Sequence, residues 1–313
     1  MFHEERPPAR SEVGGRIWVA AALGSGLALG AAGGALLFGL RWLGEPAGRT
    51  PANLAATSLI LLGVLLAGSG IGYYVLAPGF RGPLAAREGI GTHRLVLTST
   101  LFVVLASNLV PMGAALFRRP EGLCTVPGFL SAALSVDFAL LGVTYLRFIR
   151  PGVLTLDRLG LRRGRLLPDV GFGILVGVAV LVVSASIQAA LDRFGVRQTQ
   201  LLDFRCIRQF PLAGFLAVVL AGGVLAPIAE ELFFRGFVFR SYLTTRGPLV
   251  AYTLSSVLFA SLHFNLPALL PILSLGLMFC WAYHRSGSIV PSMVGHALNN
   301  SFAFAILYWT DLR

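Results

Sequence analysis

The sequence predicts an all-α membrane protein, a bundle of eight or nine transmembrane helices. Hydrophobic residues make up 56% of the 313 residues, and charged residues make up only 12%. The mean hydropathy is +0.77. A soluble globular protein carries about twice that share of charge, and the apolar residues fall into runs of about 20, the length that spans a bilayer. This composition excludes an ordinary soluble enzyme, a disordered chain and a small disulfide-stapled secreted domain.

The apolar runs define nine candidate spans. They are residues 17–40, 54–77, 95–117, 123–146, 170–190, 211–239, 248–264, 266–283 and 289–309. The number falls to eight if one run is re-entrant. The first run is too long for the core of a signal peptide, so we expect it to remain as the first transmembrane helix.

The 25 basic residues are all arginine, and nearly all of them lie between the predicted spans. With nine spans and an internal N-terminus, sixteen arginines lie on the inner side and nine on the outer side. The positive-inside rule therefore favours a cytoplasmic N-terminus and an inner, plasma-type membrane. The densest cluster, residues 157–165, suits anionic lipid headgroups. It is short and has no interleaved aromatic residues, so we expect no nucleic-acid partner.

The long connection after residue 150 divides the chain into two predicted regions. Residues 1–150 contain four spans of unknown function, whose only clearly intramembrane ionisable residue is Asp137. Residues 151–313 contain the spans that carry polar chemistry. We find no internal repeat of the kind that builds many transporters.

The three cysteines are Cys124, Cys206 and Cys280. Their number is odd, and their spacing matches no zinc or redox motif. We expect three free thiols with minor structural roles.

Intramembrane ionisable residues are few, and most lie in the last third of the chain. Glu231 and Arg235 are four residues apart, so on a helix they share a face and can neutralise each other. Glu230 points about 100° away from Glu231 and is left unpaired in a medium of low dielectric, which suits a general base. Pro227, about one turn earlier, is expected to weaken the helix there.

The two intramembrane histidines fall near the depth of these glutamates. Gly247 marks the turn of a helical hairpin; Glu230 lies 17 residues before it and His263 lies 16 residues after it. At 1.5 Å per residue, both lie roughly 25 Å from the turn. His296 lies on the last span, and Asn300 is on its face four residues later. The spacing predicts that the glutamates, Arg235, the histidines and Asn300 converge inside the membrane.

These residues carry a family resemblance. Three patterns resemble the motifs of the CPBP family of CAAX prenyl proteases and bacteriocin-processing enzymes, also called the Abi family. The patterns are Glu230-Glu231-x-x-x-Arg235, Phe259-x-x-x-His263 and His296-x-x-x-Asn300. The resemblance covers about residues 154–309, and the first four spans lie outside it.

The resemblance implies an intramembrane endopeptidase that acts on a membrane-associated protein or peptide. Glu230 would be the catalytic base, and His263 would help to hold the attacking water. His296 and Asn300 would stabilise the oxyanion, with Glu231 and Arg235 supporting the site. No cofactor is required in this interpretation. The alternative is zinc, with Glu230, His263 and His296 as ligands, although the chain lacks H-E-x-x-H.

Two other functions remain open at this level. Buried glutamate and histidine can form the relay of a proton-coupled transporter. The protein can also be an inactive membrane scaffold of the same fold. All-arginine usage with abundant alanine and glycine suggests a bacterial source, and the oligomeric state is left open.

Overall fold

The computed structural model describes residues 10–42, 50–80, 93–117, 124–161, 164–196 and 204–310. Within these ranges the chain forms nine helices and no strand, which confirms the predicted all-α bundle. In chain order the helices are α1 (Arg10–Trp42), α2 (Pro51–Phe80), α3 (His93–Phe117), α4 (Val126–Ile149), α5 (Leu166–Arg193), α6 (Leu212–Arg246), α7 (Pro248–Ser261), α8 (Leu269–Ser286) and α9 (Val290–Trp309).

Five of the described helices are long and apolar enough to cross a membrane. These stretches are Ile17–Leu40, Pro51–Ala77, Val126–Ile149, Leu166–Arg193 and Leu212–Arg246. Large apolar side chains on their outer surfaces, such as Leu27, Phe138 and Leu175, are about 70% exposed, as expected for contact with lipid tails. The chain is therefore an integral membrane protein, and the number of spans stays a prediction.

Helix α5 packs closely against α9, which carries two of the predicted site residues. A β-carbon added at Gly177 would lie 3.1 Å from the backbone of Gly295, and one added at Gly173 would lie 2.7 Å from the side chain of Val294. Small residues allow this approach, as in other membrane helix pairs. The contact fixes α9 in place along the bundle.

Helix α6 is irregular on both sides of the two glutamates. The α-helical stretch Ala226–Glu231 lies between two π-helical stretches, Val219–Leu225 and Leu232–Phe239. Pro227 has no N–H to donate, and its ring crowds the preceding turn, which accounts for the first change of helical pitch. Wider turns of this kind are frequent at functional sites. The predicted weakening of the helix at Pro227 is confirmed.

The expectation of three free cysteines is wrong. Cys124, just before α4, and Cys206, in the 3-10 turn Arg205–Gln209 before α6, form a disulfide with their Cα atoms 5.3 Å apart. Cys280 on α8 is free and buried. The two cysteines of the bond are separated by 82 positions. The spacing of the cysteines in the sequence does not indicate this disulfide, because the packing of the helices is what brings the two connections together.

Candidate active site

A fully buried ion pair lies at the centre of the site. Arg235 Nη1 is 2.9 Å from Glu231 Oε1, one helical turn away, and both side chains are completely excluded from solvent. Arg235 Nη2 also donates to the Gly276 carbonyl at 3.3 Å. The guanidinium carbon lies 4.6 Å from the centre of the Phe259 ring and 5.3 Å from that of Phe279. The predicted pairing of Glu231 with Arg235 is confirmed, and two aromatic faces stabilise the cation.

His296 lies between the two glutamates. Its Nδ1 is 2.9 Å from Glu231 Oε1, and its Nε2 is 3.8 Å from Glu230 Oε2. The imidazole stacks on Phe279 with the ring centres 4.8 Å apart, and the residue is almost fully buried. Because the Glu231 carboxylate can only accept, Nδ1 carries a proton. The histidine ring thus joins the ion pair to Glu230.

Among the described residues, Glu230 forms no ion pair with an arginine, and the predicted unpaired carboxylate instead lies 3.8 Å from Nε2 of His296. The side chain of Glu230 keeps 17% of its exposure, whereas that of Glu231 is fully buried. Glu230 Oε2 is itself buried and accepts no hydrogen bond within the described part of the chain. The two adjacent carboxylates therefore differ in their partners: Oε1 of Glu231 contacts both Arg235 and His296, whereas Glu230 lies opposite His296 alone at 3.8 Å.

His263 lies just beyond the C-terminus of α7. Its Nδ1 donates to the Phe259 carbonyl at 2.9 Å, since a carbonyl oxygen can only accept. The Nε2 of a neutral ring is then left with its lone pair. Phe264, the next residue, has φ of 49°, and it is the only described residue other than glycine with a positive φ. The chain thus turns sharply out of the helix immediately after the histidine.

Asn300 is held against the first π-helical stretch of α6. Its Nδ2 donates to the Gly222 carbonyl at 3.2 Å, and Asn299 Nδ2 donates to Asn300 Oδ1 at 3.2 Å. A β-carbon at Gly223 would lie 2.6 Å from Ser301 Oγ. The two consecutive glycines therefore let α9 approach α6 closely enough for this amide contact.

A cavity of about 340 Å³ opens beside these groups. His263, His296 and Asn300 line it together with Asn299, and its other walls are mainly apolar. They include Leu181, Ala185, Phe204, Ile272, Phe302 and Leu307. Glu230 is not among the lining residues, and its Oε2 lies 3.8 Å from Nε2 of His296, which does line the cavity. A few polar groups on an apolar wall are typical of a binding site for an organic ligand.

The predicted convergence is thus observed in two connected groups. Glu231, Arg235 and His296 are in direct contact with Glu230 close by, and the two histidines share the cavity with Asn300. Their catalytic roles stay a prediction.

Sequence reasoning missed two features of the site. Phe279 contacts both His296 and Arg235, yet it looks like any other apolar residue of its helix. The pair Gly222-Gly223, one turn before Pro227, was a readable signal for close helix approach.

The donor atoms do not fit the proposed zinc set. Among the described residues, no group of three histidine, cysteine, aspartate or glutamate side chains is arranged to hold a metal ion. The hydrogen bonds of His296 and His263 occupy only Nδ1 of each ring, so they do not decide the question, and the absence of such a group among the described residues is what counts. We therefore derive no chemical step through a metal.

Comparison with known proteins identifies the C-terminal helices. Residues 212–302 match a family described as type II CAAX prenyl endopeptidase Rce1-like. The match is to the Rce1-like family. The matched stretch runs from the start of α6 into α9 and contains all six predicted site residues, so the resemblance found in the motifs is confirmed.

Three curated relatives also match. A stretch of 90 residues is 36% identical to "UPF0177 protein YxdF" of Lactococcus lactis subsp. lactis (strain IL1403), covering 28% of this chain and 49% of that protein. A second, of 123 residues, is 34% identical to "Uncharacterized protein YyaK" of Bacillus subtilis (strain 168), covering 33% and 40%. A third, of 85 residues, is 28% identical to "Putative membrane peptidase YdiL" of the same strain, covering 27% and 35%.

The chain therefore spans about half or less of the length of each relative it matches. No solved structure matches the chain.

Proposed function

We propose that the protein is an intramembrane endopeptidase of the CAAX protease type. The observation that carries the proposal is the position of His296, which contacts Glu231 and faces Glu230 while it lines the same cavity as His263. A base, two histidines and a space for a substrate then lie together in a site of low dielectric. The similarity to the Rce1-like family and to a protein named as a membrane peptidase supports the same activity.

In the proposed reaction, His296 carries a proton on both ring nitrogens. Glu230 and Glu231 bring two negative charges, and Arg235 brings one positive charge. A buried excess charge is costly, and an imidazolium between the two carboxylates makes the cluster neutral. The protonated Nε2 then faces Glu230, where a neutral ring would place one acceptor against another at 3.8 Å.

The reaction we infer is direct attack by water. Glu230 accepts a proton from the water while the water oxygen bonds to the carbonyl carbon of the scissile peptide. His263 accepts a hydrogen bond from the same water through its Nε2. The oxyanion that forms is stabilised by the Nε2 proton of His296 and by the Asn300 amide, which both border the cavity.

The tetrahedral intermediate then collapses. Glu230 gives the proton to the departing amide nitrogen as the carbon–nitrogen bond breaks, and a carboxylic acid and an amine leave the site. No acyl-enzyme forms, so the reaction needs no serine or cysteine nucleophile. Glu231 and Arg235 do not contact the substrate. They hold the imidazole ring of His296 in position.

The proposed substrate is a membrane-associated protein or peptide. The cavity is bounded by apolar walls, and about 340 Å³ is sufficient for one or two apolar side chains beside the cleaved bond. The apolar walls favour a segment that is partly embedded in the bilayer.

The test is Glu230→Gln, expressed in cells that lack the gene. The new termini of membrane proteins are compared by mass spectrometry in cells with the wild type, the variant or an empty vector. We expect termini that appear only with the wild type. Asp192→Asn is the matched control, because this carboxylate lies on an exposed turn of α5 and contacts Gln188. Continued cleavage by an inserted Glu230→Gln protein, or ion transport without a peptide product, would overturn the proposal.

A further inference from the structure

The two ends of the helical bundle differ in chemistry. One, the disulfide end, contains Cys124–Cys206, the C-terminus of α5 and the C-terminal part of α9. The connection before α6 contacts α9 there, since Tyr308 donates to the Phe210 carbonyl at 3.2 Å. The other, the arginine end, contains the C-terminus of α4, the α6–α7 turn and the C-terminus of α8. Arg240 joins these elements by donating to the Arg158 carbonyl and to Tyr283 Oη.

Charge is unequally divided between these ends. Among the arginines whose side chains the structure describes, the arginine end has Arg94, Arg147, Arg150, Arg158, Arg165, Arg240, Arg246 and Arg285, and the disulfide end has Arg193, Arg205 and Arg208. Arginine-rich connections remain on the cytoplasmic side of a membrane. Disulfides persist on the oxidising, extracytoplasmic side. These two independent rules assign the same orientation to the bundle.

The cavity opens at the disulfide end. Phe204, two residues from Cys206, forms part of its wall, as does Gln188 in the last turns of α5. His263 lies beyond the end of α7 that is remote from the arginine-rich turn, and Pro271 lies in the first turn of α8. The walls of the cavity therefore come from the same ends of the helices as the disulfide.

We propose that the site is entered from the extracytoplasmic side of the membrane. Its substrate class is then a membrane protein or peptide whose scissile bond lies at or just within the outer surface of the bilayer. The substrate class rests on the proposed peptidase function, but the orientation of the bundle does not depend on catalysis.

The experiment labels single added cysteines in intact cells with a membrane-impermeant maleimide. Gln188→Cys lies half-buried at the cavity, and Thr244→Cys is an exposed position at the arginine end. The buried Cys280 stays as it is in both variants. We expect Gln188→Cys to react in intact cells and Thr244→Cys to react only after permeabilisation. The reverse pattern would overturn the proposal, even if Glu230→Gln abolishes cleavage.

The disulfide provides a second measurement. Membranes are blocked with one maleimide, reduced, and then treated with a maleimide that increases the mass of the protein. We expect two thiols to appear only after reduction, and none of them in a Cys124→Ser, Cys206→Ser double variant. Two thiols that are already blocked before reduction would contradict the oxidising location of this end.

A second inference concerns Asp137, which lies outside the segment that matches the family. It is 3% exposed, and neither of its carboxylate oxygens has a hydrogen-bond partner within the described residues. Helix α4 packs along the Ala226–Glu231 stretch of α6, and Asp137 and Glu230 are close enough for their charges to interact. Glu231 and Arg235, the other ionisable groups of that part of α6, already neutralise each other.

An unpaired charge is costly to bury, and two adjacent carboxylates are more costly still. We infer that Asp137 is a positioning residue that holds a proton and leaves the negative charge on Glu230. A neutral acid at this position can donate to a water that in turn donates to Oε2 of Glu230. It thereby orients the base that the proposed reaction uses, and this role too rests on the proposed function.

Steady-state kinetics of three variants test this role with a substrate found in the proteomic comparison. Asp137→Asn imitates the protonated acid, so its kcat should remain within about threefold of the wild type. Asp137→Leu removes the donor and should lower kcat by roughly 10- to 100-fold at an unchanged KM. Ser99→Ala, another buried polar side chain without a partner, is the control and should change neither constant.

Wild-type kcat in Asp137→Leu would overturn the inference. So would an equal loss in Asp137→Asn, because a permanently neutral side chain should suffice. If the leucine variant does not insert, the asparagine variant alone decides. If Glu230→Gln loses activity while Asp137→Leu keeps it, the positioning role of Asp137 is rejected and the proposed peptidase function stands.

Discussion

Arg235 and Glu231 form an ion pair 2.9 Å long, and neither side chain is exposed to solvent. The pair is made within one helix, between residues one turn apart. Phe259, Phe279 and the Gly276 carbonyl enclose the arginine. Such a pair depends on both partners, because removing one leaves the other as an uncompensated buried charge.

The first prediction follows from this dependence. Arg235→Met should lower the free energy of unfolding by roughly 3–5 kcal/mol. The double variant Glu231→Gln, Arg235→Met should recover much of that loss, because no buried charge is then left alone. Thermal unfolding in detergent, followed by the loss of helical circular dichroism, measures both. Equal destabilisation of the single and double variants would show that the arginine matters through its packing alone.

The second prediction separates His263 from the ion pair. His263→Ala should lower kcat by roughly 10²–10⁴-fold, the range for a residue that assists proton transfer. Its stability should change little, because the one side-chain hydrogen bond that it forms within the described residues is to the carbonyl of its own helix. Thermal unfolding and cleavage are measured on the same preparation. Leu266→Ala, at an exposed side chain in the same connection, is the control, and a loss of stability as large as that of Arg235→Met would contradict the assignment.

The third prediction concerns the approach of α9 to α6. Gly223→Ala places a β-carbon 2.6 Å from Ser301 Oγ and should displace the helix that carries His296 and Asn300. Both stability and activity should fall. Gly142→Ala on α4 meets nothing within 4 Å and should instead be neutral or stabilise by about 0.5–1 kcal/mol, because alanine favours helix. A Gly223→Ala protein as stable and active as the Gly142→Ala protein would show that the contact relaxes without consequence.

The fourth prediction concerns metal. Dialysis against a chelator should leave cleavage unchanged, and elemental analysis of the purified protein should find less than one zinc in ten molecules. The reason is that, among the described residues, no three histidine, cysteine, aspartate or glutamate side chains are arranged to hold a metal ion. Loss of activity that added zinc restores would establish a metalloprotease and overturn the glutamate–water reaction.

The six predicted site residues could be selected from the sequence because charge is rare in apolar spans and because residue spacing fixes the geometry within one helix. A charged residue in an apolar span is conspicuous, and the four-residue spacing of Glu231 and Arg235 is a property of one helix. The depth of His263 relative to Glu230 followed from counting residues back to Gly247. The positions of His296 and Asn300 could be placed only within a turn or two in this way.

The contacts between helices could not be predicted in the same way. The family resemblance implied an oxyanion role for His296, which stays a prediction, and only the structure shows that His296 lies between Glu231 and Glu230. The link from Asp137 to Glu230 crosses from the first four helices to the sixth. The disulfide between Cys124 and Cys206, which we expected to be free thiols, likewise joins connections 82 positions apart.

The sequence by itself determined that this protein is a bundle of apolar helices and which few polar residues lie within it. Both follow from the cost of placing charge and unsatisfied backbone in lipid, which acts on each segment separately. The tertiary structure decided which of these residues touch, which glutamate stays free, and at which end the cavity opens. These features depend on how separate helices rotate and approach each other. Small residues such as Gly177 and Gly223 permit a close approach, but they do not specify which helix approaches.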